Sequence, residues 1–176
     1  RMDWIKDQRA NITLVPPIAC GHSIDFMGVS HRLTFTGTSP RGVWREGDVI
    51  RVGGPENYAP ARLQRWLKKQ AKEALIAAAD RHATALGLSY TAIAVADTKS
   101  RWGSCSAKKN LRFSWRLILA EPHILNYVAA HEVAHLAEMN HSPAFWALVE
   151  VCDSNWKMHR RWLKKEGHTL FAMGNV

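Results

Sequence analysis

The segment HEVAHLAEMNH, residues 131–141, restricts this chain more than any other. His131 and His135 are four residues apart. At about 100° per residue they sit about 40° apart around a helix and one turn along it, so both imidazoles can address one cation. Glu132 lies on the flank of that face. It is badly placed to ligate and well placed to touch a water held there, the division of labour that H-E-x-x-H encodes. His141 can add a third nitrogen only if the helix stops. Six residues past His135 is about 9 Å of rise, while a Zn–N bond is about 2.1 Å. The sequence offers a break. Asn140 suits a left-handed C-terminal position, and Ser142-Pro143 opposes continuation, because the residue before proline is pushed out of the α region. The helix is therefore expected to end near Asn140. With 9 His in 176 residues, about 0.02 accidental H-E-x-x-H matches are expected, too few to read this one as noise.

Two other third ligands compete with His141. Glu138 lies on the ligand face, and Glu150 lies on the following helix. His141 is preferred because imidazole completes the donor set and a catalytic zinc keeps three protein ligands and an open position. The chemistry expected is metal-assisted hydrolysis, with zinc lowering the pKa of a water and Glu132 as general acid/base.

The rest of the chain suggests what carries this helix. Residues 22–53 read as β, with a hairpin signal at Glu46-Gly47-Asp48. Pro60 opens a long amphipathic helix with Leu63, Leu67, Ala71 and Leu75 at helical spacing, and Gly87 stops it. Residues 90–97 and 111–119 read as two strands joined by the polar loop TKSRWGSCSAKKN, which suggests an antiparallel hairpin. In the second strand Leu111, Phe113, Trp115 and Leu117 face one way, and Arg112, Ser114 and Arg116 the other. Pro122 begins the helix that bears His131. Ser142 caps the next, and a basic helix from about Ser154 is expected to end at Gly167. The domain reading is an N-terminal β segment over 1–58 and a catalytic domain over 59–176.

Composition matters where partners are concerned. The net charge is +9, with basic clusters at 62–72 and 157–165. These read either as weak nucleic-acid or polyanion contacts or as solvated helix faces. No apolar run is long enough for a membrane span, and the charged start RMDWIKDQRANITLVPP lacks the apolar stretch of a signal peptide. Three widely spaced cysteines do not make a disulfide framework, so a cytoplasmic location is expected. Trp66, Trp146 and Trp162 fall at apolar helical positions and read as packing residues rather than stacking platforms.

RWGSCS (101–106), LRFSWRLI (111–118) and YVAAHEVAHLAEMNHSPAFW (127–146) resemble the YgjP-like metal-dependent hydrolases, zincin-fold proteins related to the SprT-like and WLM metallopeptidases. The match spans about residues 97–150. The resemblance implies an α+β zincin-like core with a small antiparallel or mixed sheet, a backing helix and an active-site helix. It implies His131, His135 and His141 as zinc ligands and Glu132 as the catalytic acid/base. It also implies that residues 111–118 form an edge strand beside the metal, where an extended peptide pairs. Arg101, Arg112, Arg116 and Tyr127 are then candidates for substrate contact. The expected activity is that of a zinc metallopeptidase on peptide or protein. The alternatives are a zinc-dependent nucleotide triphosphate pyrophosphohydrolase and a polyanion-binding protein whose zinc is structural. The intact Glu132 speaks against the last, since a structural site needs no base.

Overall fold

The computed structural model describes residues 18–173. The N-terminal stretch read for a signal peptide lies outside them. Four short strands come first: β1 (Ser23–Phe26), β2 (Val29–Phe35), β3 (Gly42–Glu46) and β4 (Val49–Gly53). They form one mixed sheet in the order β1-β2-β4-β3, with β2 and β4 parallel and the other pairs antiparallel. The hairpin expected at Glu46-Gly47-Asp48 is present, turning on Gly47 at φ 58°. A second hairpin turns on Met27-Gly28, both at positive φ as a tight primed turn requires.

After a short 3-10 turn (Glu56–Tyr58) comes α1 (Ala59–Leu86), closed by Gly87 in the left-handed conformation, as the sequence predicted. Leu63, Leu67, Ala71, Leu75 and Ala79 recur every fourth residue and are fully buried. At 1.5 Å per residue this 28-residue helix runs about 42 Å, long enough to touch both sheets. Ile24, Phe26, Leu33, Ile50 and Val52 of the first sheet share one continuous core with it.

The second sheet corrects the sequence reading. β5 (Ala92–Ala96) and β7 (Asn110–Ser114) are parallel rather than a hairpin, because a third strand, β6 (Gly103–Cys105), forms within the supposed loop. β6 pairs antiparallel with β7, giving the order β5-β7-β6. The strand expected at the edge is therefore central, and RWGSCS supplies the edge. The chain then leaves β form at Trp115, where a 3-10 segment (Trp115–Leu119) begins with Ser114 Oγ accepting from Arg116 N. Alternation in LRFSWRLIL mimics a longer strand, yet every residue of the 3-10 segment is buried.

Three helices complete the chain: α2 (Pro122–Ala134), α3 (Pro143–Cys152) and α4 (Trp156–Ala172). Ser142 caps α3 by accepting from Phe145 N at 3.2 Å. α4 does not stop at Gly167. Its glycine is buried inside the helix, where an added Cβ would lie 3.0 Å from the Trp102 ring, and Trp102 stacks on Phe171 at 4.1 Å. Gly167 thus makes room for a ring brought in from another element rather than ending the helix. The molecule is α+β, with two small mixed sheets and four α-helices among the described residues.

Candidate metal centre

The site forms where α2 ends. The last α-helical residue is Ala134, and the next turn tightens into i→i+3 bonds: Leu136 N to Val133 O at 3.0 Å and Ala137 N to Ala134 O at 3.1 Å. The break thus falls at His135, earlier than the sequence suggested. Asn140 is not its agent, since the positive-φ non-glycine residues among those described are Met27 and Lys109. The tightened turn returns the chain within reach of His131. His131, His135 and His141 present ring nitrogens that all lie within 4.8 Å of one another. Nε2 of His141 stands 3.1 Å from Nε2 of His131.

The three rings suit a borderline-soft cation. A tetrahedral zinc with bonds of about 2.1 Å needs nitrogens about 3.4 Å apart, a spacing this group can provide. Burial, aided by His135, His141 and the Arg160 cation, pushes the His131 pKa down to about 3. The ring is then neutral and can ligate. Its Nδ1 is sealed from solvent without a partner, so Nε2 is its working nitrogen. His135 is oriented from the other side: its Nδ1 donates to the Glu138 carbonyl at 2.9 Å, which leaves Nε2 as the lone-pair nitrogen. Glu138 therefore acts through its backbone. Neither Glu138 nor Glu150 belongs to the cluster, which among the described residues consists of the three histidines.

Glu132 is buried on the flank of this group. Burial raises its pKa to about 8, against the opposing pull of the Arg101 cation. β6 covers it closely. A Cβ on Gly103 would lie 2.7 Å from Glu132 Cγ and 2.8 Å from Oε1, so only glycine admits this carboxylate beside the strand. Phe145 and Trp146 of α3 wall the histidines, with ring centroids 4.5 Å from His135 and 5.7 Å from His141 respectively.

The arginine and tyrosine candidates separate. Arg101 is exposed and its charge reaches Glu132. Arg112 is exposed but stands in register with Ala94 and Ser104, the face of the sheet opposite Leu111, Phe113 and the Gly103 side that meets Glu132. Arg116 is only 2% exposed, since it belongs to the 3-10 segment rather than to a strand. Its guanidinium hydrogen-bonds the Asp97 carboxylate and the Met173 carbonyl, so it ties the 3-10 segment to the end of α4 instead of facing a cleft. Tyr127 is buried between His131 and His159, at ring distances of 6.1 and 6.4 Å. Burial pushes its hydroxyl up to about 12, which makes it a packing residue that keeps its proton.

Three features escaped sequence reasoning. Gly103 carries no motif signal for contact with Glu132, although RWGSCS did stand out. The aromatic wall from α3 reads as ordinary core spacing. The buried Asp153–His159 pair, 2.6 Å apart, lies just beyond Tyr127 and had no sequence signature at all.

Among solved structures the chain is similar to the metallopeptidase zymogen abylysin of Pyrococcus abyssi. The TM-score is 0.47 and the identity 21%, over 53% of this chain and 95% of that one. No curated protein matches. A family model described as YgjP-like, metallopeptidase domain, matches residues 1–166. With three clustered imidazoles, a buried carboxylate one residue from the first of them, and a match over most of its length, the chain belongs to the YgjP-like metallopeptidase family.

Proposed function

We propose that this protein is a zinc-dependent peptidase in which His131, His135 and His141 hold the metal and Glu132 moves the proton. The observation that carries this reading is the pairing of a three-imidazole cluster with a buried carboxylate on the helix that bears His131 and ends at His135. Zinc, when bound, acts as a Lewis acid that lowers the pKa of water and polarises a carbonyl. Glu132, in its carboxylate form, accepts a proton from the attacking water and hands it to the departing amine. The raised pKa suits both halves of that exchange. Arg101 stabilises the carboxylate form and stands at the rim to meet substrate charge. Arg112, on the outer face, is left with a role outside the catalytic step. An extended peptide pairs with the free edge of β6, the strand that also covers Glu132.

The catalytic unit in this reading is 59–176, with the 1–58 β segment bracing α1 through the shared core. Free thiols at Cys20, Cys105 and Cys152 fit a reducing cytoplasm. Among the described residues no helix is long and apolar enough to cross a membrane.

The test is Glu132→Gln, assayed with zinc on unfolded protein, peptides and nucleoside triphosphates. Zinc stoichiometry should hold while peptide cleavage falls about 10²–10⁴-fold, the share of a general base. Equal turnover by both proteins sinks the assignment of Glu132. Triphosphate hydrolysis without peptide cleavage sinks the peptidase reading.

A further inference from the structure

We propose that the groove along α4, beside the metal centre, is a subsite for an acidic segment of the polypeptide substrate. This inference rests on the peptidase reading and names the class of substrate it serves. Lys157, Arg160, Arg161 and Lys164 line the groove together with Trp156, around a space of about 400 Å³. All four cations are exposed. The ion pairs of α4 among the described residues are Lys165 with Glu166 and His159 with Asp153, so the groove holds positive charge without its own counter-charge. Cations one helical turn apart repel, and an anion laid between them relieves that repulsion.

The groove is continuous with the site. The Arg160 guanidinium lies 4.9 Å over the Trp146 ring, and the Lys157 ammonium 5.6 Å over Trp156. The two indoles stack at 4.2 Å and 14°. Trp146 in turn stacks on His141, with centroids 5.7 Å apart at 24°. A chain leaving the metal centre past His141 therefore passes onto this cationic wall.

The dimensions select a peptide over a nucleic acid. Lys157 to Lys164 covers seven residues, about 10.5 Å of helix axis. An extended peptide repeats its same-side chains every 6.6–7 Å or so, which lets two carboxylates two residues apart meet two cations one helical turn, about 6 Å, apart in the row, such as Lys157 and Arg161. Phosphate contacts dominate nucleic-acid affinity, and a row of four cations over about 10.5 Å supplies few of them. A nucleic-acid site also needs free aromatic faces for bases, and Trp146 is already engaged by His141, Trp156 and Arg160.

The experiment measures binding and turnover separately. Zinc-loaded full-length Glu132→Gln is titrated with a labelled decapeptide carrying Asp at alternate positions, with its Asn counterpart, with an oligothymidylate and with a nucleoside triphosphate. The acidic peptide should bind about tenfold tighter than the Asn peptide and lose that margin in high salt, as charge-assisted contacts do. Lys157→Glu with Lys164→Glu should erase the preference, while Lys72→Glu on α1 should leave it intact. In the wild-type background the double reversal should raise KM for the acidic peptide with kcat unchanged, and melting curves confirm that it folds. Equal affinity for the two peptides, a preference that survives charge reversal, or tighter binding of the oligonucleotide or triphosphate overturns the subsite. Preferential binding of the acidic peptide, with no peptide cleaved by the zinc-loaded wild-type protein, upholds the subsite and overturns the peptidase reading instead.

Discussion

Two polar clusters lie on either side of the Tyr127 ring, one buried and the other opening to solvent at His141, and they are built on opposite plans. On one side, Asp153 and His159 satisfy each other at 2.6 Å, and Asp153 also accepts from Asn155 N at 3.0 Å. On the other, His131 keeps an Nδ1 with no partner, His131 and His141 point nitrogen at nitrogen, and Glu132 sits against a strand with its pKa raised to about 8. A paired cluster contributes stability, because its members exchange water for each other. A buried polar atom without a partner, such as His131 Nδ1, costs stability, and such groups concentrate where function does. The difference sets a self-satisfied brace apart from a candidate site.

Mutations should divide along that line, and the largest effect belongs to the open cluster. His141→Ala removes one of the three proposed ligands rather than a supporting group. It should lower zinc affinity and activity by more than the roughly 10–100-fold that outer-sphere partners contribute, while the apo protein melts near its wild-type temperature. Metal titration followed by calorimetry checks both halves. Full zinc affinity in His141→Ala would return Glu138 or Glu150 to the ligand set.

Gly103→Ala comes next. The added methyl competes with Glu132 Cγ and Oε1, so the carboxylate must shift. A misplacement of that order costs up to about 10²-fold in kcat, and zinc content should not change. Glu132→Asp, whose shorter side chain leaves room for the methyl, should be less damaging in the Gly103→Ala background than alone. Strict additivity of the two changes would show that the contact does not position the carboxylate.

Asp153→Asn should do the reverse of both. Breaking a buried pair by altering one partner costs about 3 kcal/mol, read as a lower urea midpoint, with kcat and zinc affinity per folded molecule kept. Loss of zinc affinity in this variant would mean that the brace is coupled to the site through Tyr127. The smallest effect is Ser142→Ala, which removes the cap of α3 and should cost about 1 kcal/mol in the same unfolding experiment.

How far each feature could be read from the sequence follows from the range of the interactions that make it. His131, Glu132 and His135 form one helical turn, so helix geometry alone places them together. His141 follows from the same geometry once a break is required. The caps at Ser142 and Gly87 are equally local and were legible for that reason. The position of the break was less so. Asn140 and Pro143 pointed beyond His135, whereas the turn tightens at Leu136 through backbone bonds that no single residue announces.

The sequence by itself determined that three imidazoles and a carboxylate come together at the end of one helix, because their geometry is fixed by spacing along one chain segment. Only the tertiary structure decided what surrounds them. Whether β5 and β7 pair parallel, and whether Arg116 reaches a substrate or Asp97, depend on partners 18 or more residues away in the chain, and whether RWGSCS forms the edge strand depends on β7 having taken its place beside β5. Alternating patterns report which residues are apolar and not which neighbour covers them. The covering of Glu132 by Gly103 is such a neighbour relation, set where two distant segments pack.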